Sequence, residues 1–172
     1  METAFSAQAR ILDSEQIRQK ITRIAFEIYE HNFEETELVM VGIAPKGYVF
    51  AELLREELSR ISPFEISLHR LELNKQSPSQ QQLTLTPQTG NLENKVVILV
   101  DDVLNTGRTL AYSLPLFLDA QARKIEIATL IDRHHTLFPV AATYTGYSLA
   151  TTLNEHIEVT FPENGSFGAF LV

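Results

Sequence analysis

The chain has no cysteine, no long hydrophobic run and fewer basic than acidic residues among its 172 positions. Without cysteine it can form neither disulfides nor thiolate metal sites, which fits a reducing cytoplasm. No run of about 18 apolar residues is present, so the sequence predicts no membrane span. The first residues lack the basic start and apolar centre of a signal peptide. We therefore expect a cytoplasmic protein without a membrane anchor.

The shortage of basic residues also limits the partners. The chain has 14 Lys and Arg against 22 Asp and Glu, a net charge of −8. Nucleic acid repels such a protein at long range, and no local basic patch stands out, so RNA is not the expected partner. The chain also lacks a Gly-x-Ser-x-Gly elbow, a Walker loop and a Gly-x-Gly-x-x-Gly fingerprint, which argues against a kinase or a Rossmann dehydrogenase.

What is present is a regular alternation of helix and strand patterns. Apolar residues make up 44 % of the chain, enough for the core of one domain spanning residues 1–172. Asp13 and Gln16 have the spacing of a helix start, and isoleucines continue at helical spacing to about residue 31. Predicted strands at 38–43, 64–73, 96–100 and 125–131 are separated by further helices at 48–59 and 109–122. Short strands are expected at 144–147, 157–161 and 169–172. The pattern predicts an α/β fold with a mostly parallel central sheet flanked by helices.

Residues 74–90 interrupt this alternation. They are rich in Gln, Ser, Thr and Pro, which is typical of a surface excursion. Two interpretations stay open at this point: a disordered or hairpin-like loop, or a flexible lid over a functional site.

The most informative segment comprises residues 96–109. Five apolar, mostly β-branched residues predict a buried strand, followed by Asp101-Asp102 and by a Thr-Gly loop that opens a helix. Open α/β sheets place ligands at the carboxyl ends of their strands, and the amides of a helix N-terminus suit a phosphate. Two carboxylates beside such a phosphate cradle indicate a sugar phosphate. Any fragment alone is also typical of an ordinary strand end and turn.

Two other predicted strands end in polar residues. Lys46-Gly47 offers amides and a cation for a second anion such as pyrophosphate, although an ordinary turn is the alternative. Asp132 could hold a divalent metal through oxygen, or form a salt bridge to Arg133. For His134-His135 we expect a surface loop or local hydrogen bonding rather than a zinc site, because no further ligand lies at zinc-like spacing.

Residues 100–109 resemble the central motif of the type I phosphoribosyltransferases. Further segments resemble the pyrimidine operon regulator / uracil phosphoribosyltransferase family: 13–18 and 22–28 its first helix, 41–47 its pyrophosphate loop, 66–70 the strand into its flexible loop, and 130–133 its fourth strand end. The resemblance implies a small hood built from the N-terminal segment and the C-terminal strands. It also implies transfer of the phosphoribosyl group of phosphoribosyl pyrophosphate (PRPP) to a nucleobase, uracil first, with release of pyrophosphate. Mg²⁺ would be the cofactor, and the assembly a homodimer or a higher homo-oligomer.

The same resemblance assigns roles to individual residues. Catalytic loop residues would be Arg70 and Lys75, and the metal residue would be Asp132. The residues that would bind PRPP are Asp101, Asp102, Asn105, Thr106, Gly107, Arg108, Thr109, Lys46 and Gly47.

Four departures from the family pattern refine these expectations. Asn105 stands where the family usually has an aromatic residue and where 6-oxopurine enzymes have Asp; because Asn cannot act as a general base, a hypoxanthine-guanine enzyme is disfavoured. Residues 69–72 replace an Arg-Asp-Asp-like entry to the flexible loop. Phe26 replaces a His of the RNA-binding members, and Tyr147-Ser148 a Lys-bearing segment, which predicts that RNA binding is lost. Two alternatives stay open: a nucleotide-sensing regulator that binds RNA, and a catalytically weak PRPP-binding protein.

Overall fold

The computed structural model describes residues 9–73, 83–161 and 167–172. In chain order its elements are β1 (Ala9–Leu12), α1 (Ser14–Asn32), β2 (Glu37–Ile43), α2 (Lys46–Ile61), β3 (Glu65–Glu72), β4 (Thr84–Thr86), β5 (Val96–Leu104), α3 (Arg108–Asp119), β6 (Lys124–Asp132), β7 (Tyr144–Ser148), β8 (Ile157–Thr160) and β9 (Gly168–Leu171). Six strands form a central sheet in the order β4-β3-β2-β5-β6-β7. All neighbouring pairs are parallel except β3 and β4. The predicted α/β class with a mostly parallel sheet is confirmed.

Helices bury both faces of this sheet, which explains why its central strands are apolar without interruption. Along β5, Val96, Ile98 and Val100 pack into the core shared with α1 and α2. The alternate residues Val97 and Leu99 pack into the core on the α3 side. Since successive strand residues point to opposite faces, a strand covered twice needs apolar residues at every position.

Helix α1 begins as the sequence predicts. Asp13 Oδ1 accepts from the Gln16 backbone N–H at 2.8 Å, and Gln16 Oε1 accepts from the Asp13 N–H at 2.9 Å. This reciprocal capping box satisfies two backbone donors that a helix start otherwise leaves without partners. The four predicted core isoleucines of α1 are all buried: Ile17, Ile21, Ile24 and Ile28.

A second, three-stranded antiparallel sheet has the order β1-β9-β8. It joins the N-terminal strand to the C-terminal strands, so the expected hood is present. Leu12, Val159 and Ala169 of this sheet share the apolar core of α1 and α2, so the hood packs on that side of the central sheet. No helix among the described residues is long and apolar enough to cross a membrane.

Most element bounds differ from the sequence prediction by one or two residues, and two of the differences have a clear physical cause. Strand β5 runs to Leu104, so Asp101 and Asp102 lie inside it rather than beyond its end, because the ladder with β6 continues through Asp101–Thr129 to Leu104–Asp132. Helix α3 ends at Asp119, three residues earlier than predicted. There Gln121 adopts a positive φ of 58°, and the Gln121 and Ala122 amides donate to Leu118 O and Phe117 O. This is a Schellman termination, built without the glycine that usually signals it.

Candidate functional site

Strands β2, β5 and β6 are parallel neighbours, so their carboxyl ends lie at one edge of the sheet. The segments that follow them are the ones that the sequence singled out: residues 44–47, 105–109 and 132–135. Against the second of these segments lies an open cavity of about 120 Å³, lined by Ile43 and by residues 101–110. This is where open α/β sheets place ligands.

A tight loop between β5 and α3 forms one wall of the cavity. Gly107 caps α3 with a φ of 79°, a left-handed conformation that other residues adopt only with strain. The Arg108 N–H donates to Thr106 Oγ1 at 3.3 Å. On the outer side, Thr106 O accepts from the Leu137 and Phe138 amides at 2.8 and 3.3 Å. The first amides of a helix have no intrahelical acceptor, so this loop has the geometry of an anion cradle.

Asp101 and Asp102 line the same cavity, and both are partly buried. The Asp102 N–H donates to Asp101 Oδ1 at 3.0 Å, and Thr129 Oγ1 donates to Asp102 O at 3.3 Å. Gly47 packs directly against this pair: a Cβ there would lie 2.8 Å from Val100 O and 3.0 Å from Asp101 Oδ1. Only glycine permits that approach, which brings the N-terminus of α2 to the carboxylates.

Two of the basic candidates lie on α2 and on β3. Lys46 begins α2, and its Nζ lies 3.9 Å from Glu158 Oε1 of the hood strand β8. Arg70 on β3 is level with Gly42 of β2, which is itself level with Val100 of β5. Arg70 is therefore two strands from β5, roughly 10 Å.

The side chain of Arg70 already contacts two residues, Glu72 on its own strand and Tyr48 on α2. Its Nε donates to Glu72 at 2.9 Å, and its guanidinium lies 5.5 Å from the Tyr48 ring centre. The remaining catalytic candidate, Lys75, and most of the predicted loop lie outside the described residues. Residues 83–90 of that loop belong to the described structure, and within them β4 pairs with β3 at the edge of the sheet.

Asp132 ends β6 beside Leu104 of β5. Its Oδ1 accepts from the His134 N–H at 2.8 Å, and its Oδ2 lies 3.8 Å from His134 Nδ1. His135 Nε2 in turn is hydrogen-bonded to Thr151 O. The local hydrogen bonding expected for the two histidines is confirmed. The alternative salt bridge from Asp132 to Arg133 is wrong, because the Arg133 side chain turns away to other partners.

The carboxylate oxygens at this edge fit a Mg²⁺ ion that is bound mainly by the phosphates of the substrate and by water. Among the described residues no group of three or more Asp, Glu, His or Cys converges on one point. Asp101, Asp102 and Asp132 nevertheless supply the carboxylate oxygens that Mg²⁺ prefers. Mg²⁺ commonly uses one or two carboxylates and completes its shell with water and substrate phosphate. The residues therefore fit that mode and do not form a closed protein cage.

Arg133 is the residue whose importance sequence reasoning missed. It is only 6 % exposed, and its Nη1 donates to Asn105 Oδ1 at 2.7 Å. Its Nε donates to Thr151 Oγ1 at 2.9 Å, and its Nη2 to the carbonyls of Thr152 and Glu155. The guanidinium thus ties the cradle to the segment that leads into the hood. No local sequence signal indicates this, because the partners lie 18 to 28 positions away.

That segment is fixed by one further contact. The Thr152 N–H donates to Glu155 Oε2 at 2.6 Å. The backbone and side chain of Thr152, and the nearby Arg133 charge, hold the pKa of Glu155 below its usual value. The segment is therefore held by a carboxylate that stays ionised at neutral pH.

Most of the chain is similar to proteins of one known family. The family model described as the phosphoribosyl transferase domain matches residues 7–164. The bifunctional protein PyrR of Haemophilus ducreyi is 36 % identical over 157 residues, covering 87 % of each chain. The PyrR of Fusobacterium nucleatum is 35 % identical over 160 residues, covering 89 % of this chain and 90 % of its own.

Solved structures resemble the fold. The hypoxanthine phosphoribosyltransferase of Trypanosoma cruzi in complex with IMP has a TM-score of 0.80 at 16 % identity, covering all of this chain and 93 % of its own. A hypoxanthine-guanine phosphoribosyltransferase of Bacillus anthracis has a TM-score of 0.73 at 22 % identity, covering 95 % and 96 %. At such identities the likeness concerns the fold alone.

Proposed function

The chain belongs to the type I phosphoribosyltransferases, with the bifunctional PyrR proteins, and on that basis we propose that it transfers the phosphoribosyl group of PRPP to uracil and releases pyrophosphate. The observation that carries the proposal is the cavity at the carboxyl edge, which is lined by two carboxylates and by an anion cradle. We also propose that the 172 residues act as one cytoplasmic domain within a homo-oligomer.

The cavity suits a ribose phosphate group by group. The carboxylate oxygens of Asp101 and Asp102 are acceptors for the two ribose hydroxyls, which donate to them. The amides of Gly107 to Thr109 and the hydroxyls of Thr106 and Thr109 are donors for the 5-phosphate. Arg108 is exposed beside this loop and adds a positive charge at the phosphate.

The pyrophosphate would lie towards α2. Gly47 brings the helix N-terminus against Asp101, and Lys46 adds a cation from the same turn. Arg70 and Lys75 are the proposed loop residues of the reaction. For Arg70 this requires the side chain to leave Glu72, an exposed ion pair worth less than about 1 kcal/mol.

Mg²⁺ would be held by Asp101 and Asp102, directly or through water, with Asp132 as the third candidate. It would neutralise the departing pyrophosphate.

In the transfer, a bond forms between the base nitrogen and the anomeric carbon, and the bond from that carbon to the pyrophosphate oxygen breaks. The pyrophosphate keeps the electron pair, and the proton of the base nitrogen passes to solvent. The protein positions the reactants and stabilises charge, as in other transfers through oxocarbenium-like states.

The test is pyrophosphate release from PRPP with each common nucleobase and Mg²⁺. We expect turnover with uracil and little with hypoxanthine or guanine. Tight PRPP binding without turnover of any base would contradict the transferase proposal and favour the catalytically weak PRPP-binding protein. Absence of PRPP binding would contradict the assignment of the cavity itself.

A regulatory role is the second candidate, because the relatives named above are called bifunctional. The surface of this chain argues against RNA as its partner. Phe26 on α1 is 47 % exposed, and Lys20 of the same helix lies over the Tyr147 ring. An aromatic surface on a protein of net charge −8 offers few phosphate contacts.

Filter binding with a pyrimidine-operon leader RNA distinguishes the two roles. We expect no specific binding at a protein concentration of about 1 μM, which is the dissociation constant of the tightest non-specific complexes. Submicromolar, salt-sensitive binding would establish the regulator role. An unrelated RNA of equal length is the control for charge-driven association.

A further inference from the structure

Two of the arginines near the anion cradle differ sharply in burial. Arg108 is exposed at the start of α3, so water and salt screen its charge. Arg133 is only 6 % exposed. An exposed charge is largely screened beyond about 10 Å at 0.1 M salt, whereas a buried charge is screened much less. The two guanidinium groups therefore differ in how far their charge acts.

Arg133 is buried without a carboxylate partner. Among residues 9–73, 83–161 and 167–172, its guanidinium donates only to neutral acceptors: Asn105 Oδ1, Thr151 Oγ1 and the carbonyls of Thr152 and Glu155. These hydrogen bonds satisfy the guanidinium nitrogens but do not neutralise the charge. Taking a cation out of water without a counter-ion is costly, so a buried arginine of this kind favours an anion close by.

The charge of Arg133 acts on a group that the guanidinium does not contact. The Glu155 carboxylate accepts from the Thr152 N–H and is not among the acceptors of Arg133. The hydrogen bonds of Thr152 do most to lower the pKa of that carboxyl, and the Arg133 charge lowers it further. An anion near Arg133 is therefore stabilised without touching it.

The cavity brings a bound anion into the range of this charge. Asn105 and Gly107 both line the cavity, and Asn105 Oδ1 lies 2.7 Å from Arg133 Nη1. The Arg133 backbone N–H also donates to Leu104 O at 3.1 Å, so the residue lies beside the start of the cradle. Two residues span at most about 7 Å, which places the guanidinium on the order of 10 Å from an anion held at the Gly107 loop.

We propose that the buried charge of Arg133 selects a dianionic phosphate monoester for the cradle, acting through space on the 5-phosphate. The inference rests on the proposed function and deepens it, because it specifies the charge that the phosphate group of the substrate must carry. Exposed Arg108 supplies an attraction that salt weakens. Buried Arg133 supplies one that salt leaves nearly unchanged, and its fixed position requires no reorganisation when the ligand binds.

Ribose 5-phosphate and ribose 5-sulfate test this selection, because they have nearly the same shape and differ by one negative charge. At about pH 8 the phosphate ester is a dianion, since its second pKa is about 6, and the sulfate ester is a monoanion. Titration calorimetry without Mg²⁺ measures the ratio of their affinities. One additional negative charge at about 10 Å from a fixed cation corresponds to about tenfold in affinity. We expect the wild type to prefer ribose 5-phosphate by at least that factor.

Two substitutions of Arg133 separate its charge from its structural role. Arg133→Met removes the charge, and we expect the preference for ribose 5-phosphate over ribose 5-sulfate to fall about tenfold. Arg133→Lys keeps the charge with fewer hydrogen bonds, and should restore most of the preference even where it lowers the melting temperature. A merely structural role predicts that both variants weaken the two ligands equally and leave the ratio unchanged.

Arg108→Met is the matched comparison at the surface. Its effect on the ratio should shrink between about 0.1 M and about 1 M salt, because the screening length falls from about 10 Å to about 3 Å. The effect of Arg133→Met should be nearly the same at both salt concentrations. Arg123→Met is the control for charge alone: Arg123 pairs with Glu35 beside the start of β6, at the opposite edge of the sheet, and its loss should leave the ratio unchanged.

Thermal melting identifies variants that fail to fold. If Arg133→Met is one of them, the wild type still decides, because its preference for ribose 5-phosphate must persist at about 1 M salt. A preference that disappears at that concentration would overturn the proposal.

The outcomes also separate this proposal from the proposed function. If ribose 5-phosphate does not bind the wild type, the assignment of the cavity fails, and the selection fails with it. If it binds and Arg133→Met leaves the preference within about twofold, the cavity stands and Arg133 does not select. If the selection is observed but no base is turned over with PRPP, the selection stands and the transferase function fails.

Discussion

The carboxylates at the two edges of the central sheet have different surroundings. At the amino edge, Glu126 near the start of β6 is 6 % exposed. It accepts from Asn32 Nδ2 and from Tyr144 OH, both at 2.7 Å, and Lys124 Nζ lies 3.6 Å away. At the carboxyl edge, Asp101 and Asp102 are partly exposed and line an open cavity. The sheet is the same, but one edge is closed by side chains and the other is open.

The contrast separates a structural carboxylate from one placed for a ligand. Glu126 has protein donors on both oxygens, so its contribution is to the stability of the fold. Asp101 and Asp102 line the same cavity as the left-handed Gly107, and Gly47 brings the N-terminus of α2 against Asp101. Substitution of the carboxylate at the amino edge should lower the free energy of unfolding. Substitution of the carboxylates at the carboxyl edge should weaken ligand binding.

The largest expected effect is at the open edge. The double change of Asp101→Asn and Asp102→Asn should weaken PRPP binding by about 100-fold or more, because charged hydrogen bonds contribute about 1.5–3 kcal/mol each. Titration calorimetry measures this, and thermal melting should show little change. Binding within about threefold of the wild type would contradict the site.

The matching change at the closed edge is Glu126→Ala. It removes the acceptor of the Tyr144 hydroxyl and one acceptor of the Asn32 amide, which keeps its bond to Ile28 O, so we expect a loss of about 2–3 kcal/mol in the free energy of unfolding. Urea denaturation measures the loss, and PRPP affinity serves as the control. A variant that folds normally and binds PRPP poorly would reverse the distinction between the edges.

A smaller effect tests the cradle through its backbone. Gly107→Ala should cost about 1 kcal/mol of stability, because φ is 79°, and should weaken PRPP binding several-fold. The added Cβ itself has room, with its nearest neighbour at 3.4 Å. Gly90→Ala is the matched control, since a Cβ there meets nothing within 4 Å. Equal effects of the two changes would mean that the turn is not part of the site.

The smallest effect is a pH dependence at the closed edge. Burial and the hydrogen bond to Glu126 raise the pKa of Tyr144 well above its usual 10.0. The neutral hydroxyl is therefore favoured by folding, so its stabilisation is complete below pH 10 and declines as the pH rises further. The slope for one such group is at most about 1.4 kcal/mol per pH unit. Urea denaturation between pH 9 and pH 11, about one unit on either side of that value, should show a steeper decline for the wild type than for Tyr144→Phe, and equal slopes would refute the assignment.

The sequence predicts those features of the structure that depend on residues close together in the chain. Helix α1 and the strand before Asp101-Asp102 are predictable because capping residues and apolar runs are local patterns. The end of α3 is not, since Gln121 takes a backbone conformation usually signalled by glycine. The partners of Arg133 are not predictable either, because Asn105 and Thr151 meet it only after the sheet has formed. The roles of Arg70, Lys75 and Asp132 stay predictions.

Hydrogen exchange with and without saturating PRPP and Mg²⁺ locates the ligand on the wild-type protein, without a substitution. We expect slower exchange of amides in residues 46–49 and 105–111 at the carboxyl edge. We expect no change around Asn32, Glu126 and Tyr144 at the amino edge. Protection confined to the amino edge, or none at either edge when PRPP is bound, would show that PRPP does not bind at the carboxyl edge.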